Sequence, residues 1–199
     1  MNILLIGANG TLGRAVAAEL GSRHTFISAG RQSGSVQIDL TQPASIEAAL
    51  RQAGPLDAVV SAAGNVAFGP LLDLSPEQWA LSVQDKLMGQ VQLALIAARY
   101  LSDGGSITLT TGVLAQQPIR YGAAATLANA GIEGFVRAAA IELPRGLRIN
   151  AVSPGVLTES LPGYGPYFRG FEPVPAARAA LGFARSVDGA DTGQVYRVV

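Results

Sequence analysis

Cysteine is absent from the 199-residue chain, which excludes disulfides and thiolate metal sites. A single histidine, His24, leaves little material for a metal centre or a histidine-based triad; at the start of a strand its role is ordinary. Charge is scarce, at 14% of residues, and 14 basic side chains balance 14 acidic ones. Neither nucleic acid nor a membrane surface finds an electrostatic footprint in such a chain. No apolar run approaches the ~20 residues of a membrane span. Met1 leads straight into an apolar strand with no basic segment before it, which predicts no secretory leader and a cytoplasmic protein.

What is present is apolar surface. Hydrophobic residues make up 49% of the chain, as suits a parallel sheet covered on both faces. The N-terminus is the most organised stretch. Asn2-Ile3-Leu4-Leu5-Ile6 reads as a buried strand, Gly7-Ala8-Asn9-Gly10-Thr11-Leu12-Gly13 as a glycine turn, and Arg14 to Leu20 as a helix. Strand, glycine turn and helix together present backbone N–H groups and a helix N-terminus to a phosphate.

Further strands read at 24–29, 36–38, 57–62, 106–111, 147–152 and 194–199. Pro43 to Ala53 predicts a helix, with Ile46, Ala49 and Leu50 on one face. Ser75-Pro76-Glu77-Gln78 is a helix start, with a Ser N-cap, Pro at N1 and Gln at the capping-box position. The helix over about 84–101 carries Leu87, Val91, Leu95 and Ala98 as an apolar stripe. A long helix over about 123–143 is rich in Ala and Gly, which predicts a close helix–helix seam. Thr158 to Pro175 is dense in Gly, Pro and aromatics and reads as an irregular loop, with Tyr164, Tyr167, Phe168 and Phe171 as candidates for an apolar lid. The alternation predicts a single-domain α/β fold over 1–199, a doubly wound parallel β-sheet of about seven strands flanked by helices. By that topology Gly7, Arg31, Asp39, Gly64, Thr111 and Pro154 lie past strand ends on one edge, at one cleft.

Seven segments, in this order and spacing, resemble the short-chain dehydrogenase/reductase family over nearly the whole chain. They are Gly7 to Gly13, Asp39-Leu40, Ser61-Ala62-Ala63-Gly64, Gly105-Ser106-Ile107, Glu133-Gly134-Phe135, Arg148 to Gly155 and Thr192-Gly193-Gln194-Val195. The resemblance implies a Rossmann-like NAD(P)-binding fold, with 158–185 a shortened substrate-loop region. It implies that Gly7, Asn9, Gly10, Thr11, Leu12 and Gly13 line the pyrophosphate and ribose, and that Asp39 and Leu40 sit against the adenine. Ala62, Ala63 and Gly64 would pass beneath the ribose, while Pro154, Gly155 and Val156 border the nicotinamide; Lys86 and Thr110 complete the cofactor set. The second strand ends without an acid and with Arg31 next, which favours the 2′-phosphate of NADP(H), with NAD(H) as the other possibility.

The resemblance fails at the chemistry. The family uses a Tyr-x-x-x-Lys pair, a Ser after the fifth strand and an Asn on the preceding helix. An ungapped register places Ala125, Asn129, Gly112 and Lys86 at those four positions. Two readings follow. Either Tyr121, one turn earlier, acts with Thr111 or Thr110 and Lys86 in a relocated site, or the fold binds NADP(H) as a sensor or interaction module without turnover. By resemblance the first is an oxidoreductase acting on a small carbonyl or alcohol. The family further implies a homodimer or homotetramer formed through the two long central helices.

Overall fold

A computed structural model describes all 199 residues. In chain order the elements are β1 (Asn2–Ile6), α1 (Thr11–Leu20), β2 (Thr25–Gly30), β3 (Val36–Gln37), α2 (Pro43–Ala53) and β4 (Leu56–Ser61). Then come α3 (Pro76–Ala80), a π-helical segment (Leu81–Met88), α4 (Gly89–Ala97), β5 (Leu101–Thr110) and α5 (Ala123–Glu142). The chain closes with β6 (Arg148–Pro154), α6 (Leu161–Tyr164), α7 (Ala176–Asp188) and β7 (Val195–Val198). The strands form one sheet in the order β3-β2-β1-β4-β5-β6-β7, parallel throughout. This is the doubly wound α/β fold, and its strand order reverses between β1 and β4, where such sheets bind ligands.

Because side chains alternate along a strand, β1 feeds two cores. Leu4 and Ile6 point into the larger one, with Ile46 and Leu50 of α2, Leu93 of α4 and Ile132 of α5. Ile3 and Leu5 point into the other, with Val16 and Leu20 of α1 and Phe183 of α7. Helix α7 is not among the elements that the sequence predicts. Its apolar positions, Ala176, Ala179, Ala180, Phe183 and Val187, do recur at helical spacing. Mostly alanines carry that signal, and it directly follows a Gly/Pro-rich stretch. Residues 176–185 of the segment read as substrate loop therefore belong to the core, and Gly182 lets α7 close on Val152. The stretch over 158–167 is built of short helical turns rather than irregular chain.

The capping box at Ser75 is present: Ser75 Oγ accepts from Gln78 N at 3.3 Å and Gln78 Oε1 from Ser75 N at 2.9 Å. The apolar stripe beyond it is not the buried face. Leu95 is 53% exposed, whereas Gln90, Leu93, Ala94 and Ala97 are buried. Helix α4 is apolar nearly all round, so its pattern selects no face. A polar contact does: the Gln90 amide donates to Thr110 O at 2.9 Å and accepts from Thr110 N at 2.8 Å, clamping α4 to the end of β5. The close seam expected for the long helix exists at Gly131, where a Cβ would lie 2.9 Å from Leu87 Cδ1. No helix is long and apolar enough to cross a membrane.

Candidate active site

The turn after β1 is shaped by glycine. Gly7 has φ +79°, and a Cβ there would meet Ala62 O at 2.7 Å. A Cβ on Gly13 would overlap Gly7 O, so α1 can start this close beneath the turn because residue 13 has no side chain. The first turn of α1 carries no acidic side chain, which leaves the positive end of its dipole facing the cleft. The cleft has a volume of about 400 Å³. Of the residues expected at a cofactor, Gly7, Asn9, Gly10, Arg31, Leu40, Ala63 and Gly64 line it.

Others on that roster sit behind the wall. Leu12 is buried in the core, and Thr110 is buried with its hydroxyl donating to Ser61 O. Thr11 and Ala62 do not line the cleft either. Asp39 turns its carboxylate onto Thr41, accepting from its N–H at 3.0 Å and its hydroxyl at 2.8 Å. Those two bonds, and then Arg31, hold its pKa below the ordinary carboxylate value.

Sequence reasoning missed Gln32, Ser33, Asn65 and Asp85, all of which line the cleft. Arg31 lies 3.6 Å from both Asp39 Oδ1 and Asp85 Oδ2, and Asp85 also accepts from Asn65 Nδ2 at 2.7 Å. The contact between Arg31 and Asp85 joins the end of β2 to the π-helical segment, a pairing no local spacing announces.

A second, more apolar cavity of about 190 Å³ adjoins the cleft. Lys86, Gly112, Ala125 and Asn129, the four residues that the ungapped register sets at the family's catalytic positions, all line it, as do Thr111, Pro154, Gly155 and Val156. These residues, drawn from four separate stretches of the chain, share one cavity. Val66, Phe68, Leu114, Tyr164 and Phe168 supply the apolar wall. Phe68 holds Tyr164 and Tyr167 at ring-centroid distances of 5.6 and 5.2 Å, which seats the 158–171 stretch over the cavity.

Tyr121 is not part of this cavity. It lies in an outer groove with Leu71, Ile119 and Leu127, with the Arg120 guanidinium 4.9 Å over its ring. The cause is its backbone. Tyr121 has φ +70° and its carbonyl accepts from Gly69 N at 3.0 Å, a left-handed turn that faces the ring outward. Thr111 is present, but its hydroxyl donates to Asn129 O at 3.0 Å and so braces α5.

Lys86 is the only lysine of the chain and is 8% exposed. Burial lowers its pKa to about 8, against a smaller opposing pull from Asp85. At neutral pH it is a cation that gives up a proton readily.

Fold and cavities define a doubly wound α/β protein with a glycine-shaped cleft and an adjoining apolar pocket. The family described as enoyl-(acyl carrier protein) reductase matches residues 8–196. The chain therefore belongs to the short-chain dehydrogenase/reductase family, a family of oxidoreductases. It is 30% identical to a versicolorin reductase of Emericella nidulans over 77% of this chain and 68% of that one. A tetrahydroxynaphthalene reductase of Pestalotiopsis fici is 28% identical over 76% and 64% respectively. Among solved structures, the protein lin1944 from Listeria innocua is 50% identical with a TM-score of 0.98, each chain covered in full. A small-chain dehydrogenase in complex with NADPH is 26% identical with a TM-score of 0.88, over 100% of this chain and 96% of that one.

Proposed function

We propose that the protein is an NADP(H)-dependent reductase or dehydrogenase that transfers hydride to or from a small carbonyl or alcohol, with Lys86 as the proton-handling group. The observation that carries this reading is the wall shared by the two cavities. Gly64 lines the nucleotide cleft, Lys86 lines the apolar cavity, and the two residues are in contact. The side-chain-free turn at Gly7 and Gly13 fits a dinucleotide, since a Cβ at either position would overlap the backbone that shapes the cleft. Arg31 would read a 2′-phosphate through its planar fork. The bound nicotinamide supplies the hydride. The Lys86 ammonium would give one proton to the carbonyl oxygen and take one back from the alcohol in the reverse direction. Asn129 and Thr111 shape the floor; neither has an acidic proton to offer. Assembly would use α4 and α5, which leave Leu95, Leu127 and Ile141 exposed.

A second reading, nucleotide binding without turnover, is favoured by one observation: Ala125 and Gly112, which the resemblance sets at the family's Tyr and Ser positions, bring no hydroxyl to the cavity. The two readings separate in one experiment. NADPH titration followed by a carbonyl panel should give micromolar binding and NADPH oxidation that Lys86→Ala reduces at least tenfold. Binding with no turnover on any substrate would select the second reading.

A further inference from the structure

We infer that the apolar cavity binds a small, largely apolar monocarboxylate, whose anionic group pairs with Lys86. No Asp, Glu, Arg or His lines the cavity, so Lys86 is its one fixed charge. The charged and titratable groups around Lys86 are otherwise engaged. Asp85, its neighbour in sequence, faces the other cleft and is held by Arg31 at 3.6 Å and Asn65 at 2.7 Å. Across the seam on α5, Glu133 accepts from Gln116 Nε2 at 2.5 Å and pairs with Arg137 at 3.7 Å. Tyr164, from the segment over the cavity, brings a phenol and no carboxylate. Lys86 itself pairs with no carboxylate and its side chain donates no hydrogen bond within the chain, although more than nine-tenths of the residue is buried.

A buried cation is normally paired, because its lost hydration needs replacing. Here no group of the protein does so, and Lys86 lines a cavity whose walls are mostly apolar, Val66, Phe68, Leu114 and Phe168 among them. A ligand that satisfies both demands has an apolar body and one oxyanion. Asn129 lines the cavity too, and its amide Nδ2 donates to no group of the protein. An amide beside an ammonium suits the two oxygens of a carboxylate, and three ammonium donors can also reach an adjacent carbonyl oxygen. This inference rests on the reductase reading only in making that ligand an oxo or hydroxy acid when it is the substrate.

The test uses benzoate and its neutral isostere benzamide as probes on the whole protein, with and without NADP⁺. Because Lys86 is the only lysine, ¹³Cε-lysine labelling gives one resonance that reports on it directly. At pH 6.5 benzoate should bind at least tenfold tighter than benzamide and move the midpoint of the lysine titration upward. By pH 9.5 the preference should fall below threefold, since Lys86 loses its proton near pH 8. Lys86→Met should abolish the preference. Equal affinity for the two probes in the wild type, an unmoved lysine titration, or a preference that survives in Lys86→Met would overturn the inference. The lysine readout needs no variant, so it stands even where a substitution unfolds the chain. NADPH binding measured alongside keeps the readings apart. Its loss with the benzoate preference intact counts against the reductase alone, and intact binding without the preference counts against the carboxylate alone.

Discussion

Gly64 and Lys86 are packed so closely that a Cβ on Gly64 would stand 2.6 Å from Lys86 Cδ. Gly64 also has φ +120°, which side-chain-bearing residues rarely adopt. One glycine thus shapes the first cleft and packs against the lysine of the neighbouring cavity. Gly64→Ala should destabilise the protein by about 1–3 kcal/mol through backbone strain. NADPH affinity should fall at least tenfold in the same variant. Chemical denaturation and nucleotide titration check the two effects, and wild-type values in both would show that the wall yields.

Lys86 carries a stability cost with a defined pH window. Its folded-state pKa, about 8, lies below the ordinary lysine value of 10.5. Between those values the unfolded chain binds more protons than the folded one, so stability rises with pH across that interval. Below pH 8 the cost is fully present, on the order of 3 kcal/mol at about 1.4 kcal/mol per pKa unit. Lys86→Met should therefore be more stable than wild type at pH 7, with the gap closing between pH 8 and 10.5. A gap that does not change with pH would mean that Lys86 keeps its ordinary titration.

Tyr121 sits outside the cavity, so Tyr121→Phe should retain rates within twofold of wild type on any substrate that the protein turns over. A drop of tenfold or more would put the phenol back into the chemistry. The variant keeps the ring beneath Arg120, so its stability should be unchanged within about 0.5 kcal/mol.

Arg31 offsets two carboxylates, Asp39 and Asp85, and the latter is nearly buried. Arg31→Ala would leave both acids uncompensated at the place expected for the 2′-phosphate. NADPH affinity should fall at least tenfold and NADH affinity by less than threefold, read from parallel titrations. Equal losses for the two cofactors would mean that Arg31 acts on the cleft as a whole.

Much of the scaffold is legible along the chain because its signals are local. Apolar runs such as Asn2–Ile6 mark strands, and the Ser75–Gln78 box marks a helix start with atoms three residues apart. Helix α7 is hard to see along the chain although its spacing is regular, because alanine contributes little apolar contrast next to a Gly/Pro-rich stretch. The stripe on α4 does not pick out the buried face, because a helix apolar on nearly all sides carries no directional information. Its orientation comes from Gln90 meeting the backbone of a strand 20 residues away.

The site divides along the same line. Residue order by itself determined the glycine turn and the alternation of strands and helices. These depend on residue identity and short spacing. Tertiary structure decided that Lys86 is buried without a partner and that Asp85 faces Arg31. It also turned Tyr121 outward. Each of these is set by how elements far apart in sequence approach one another, and burial, charge pairing and pKa follow from that approach.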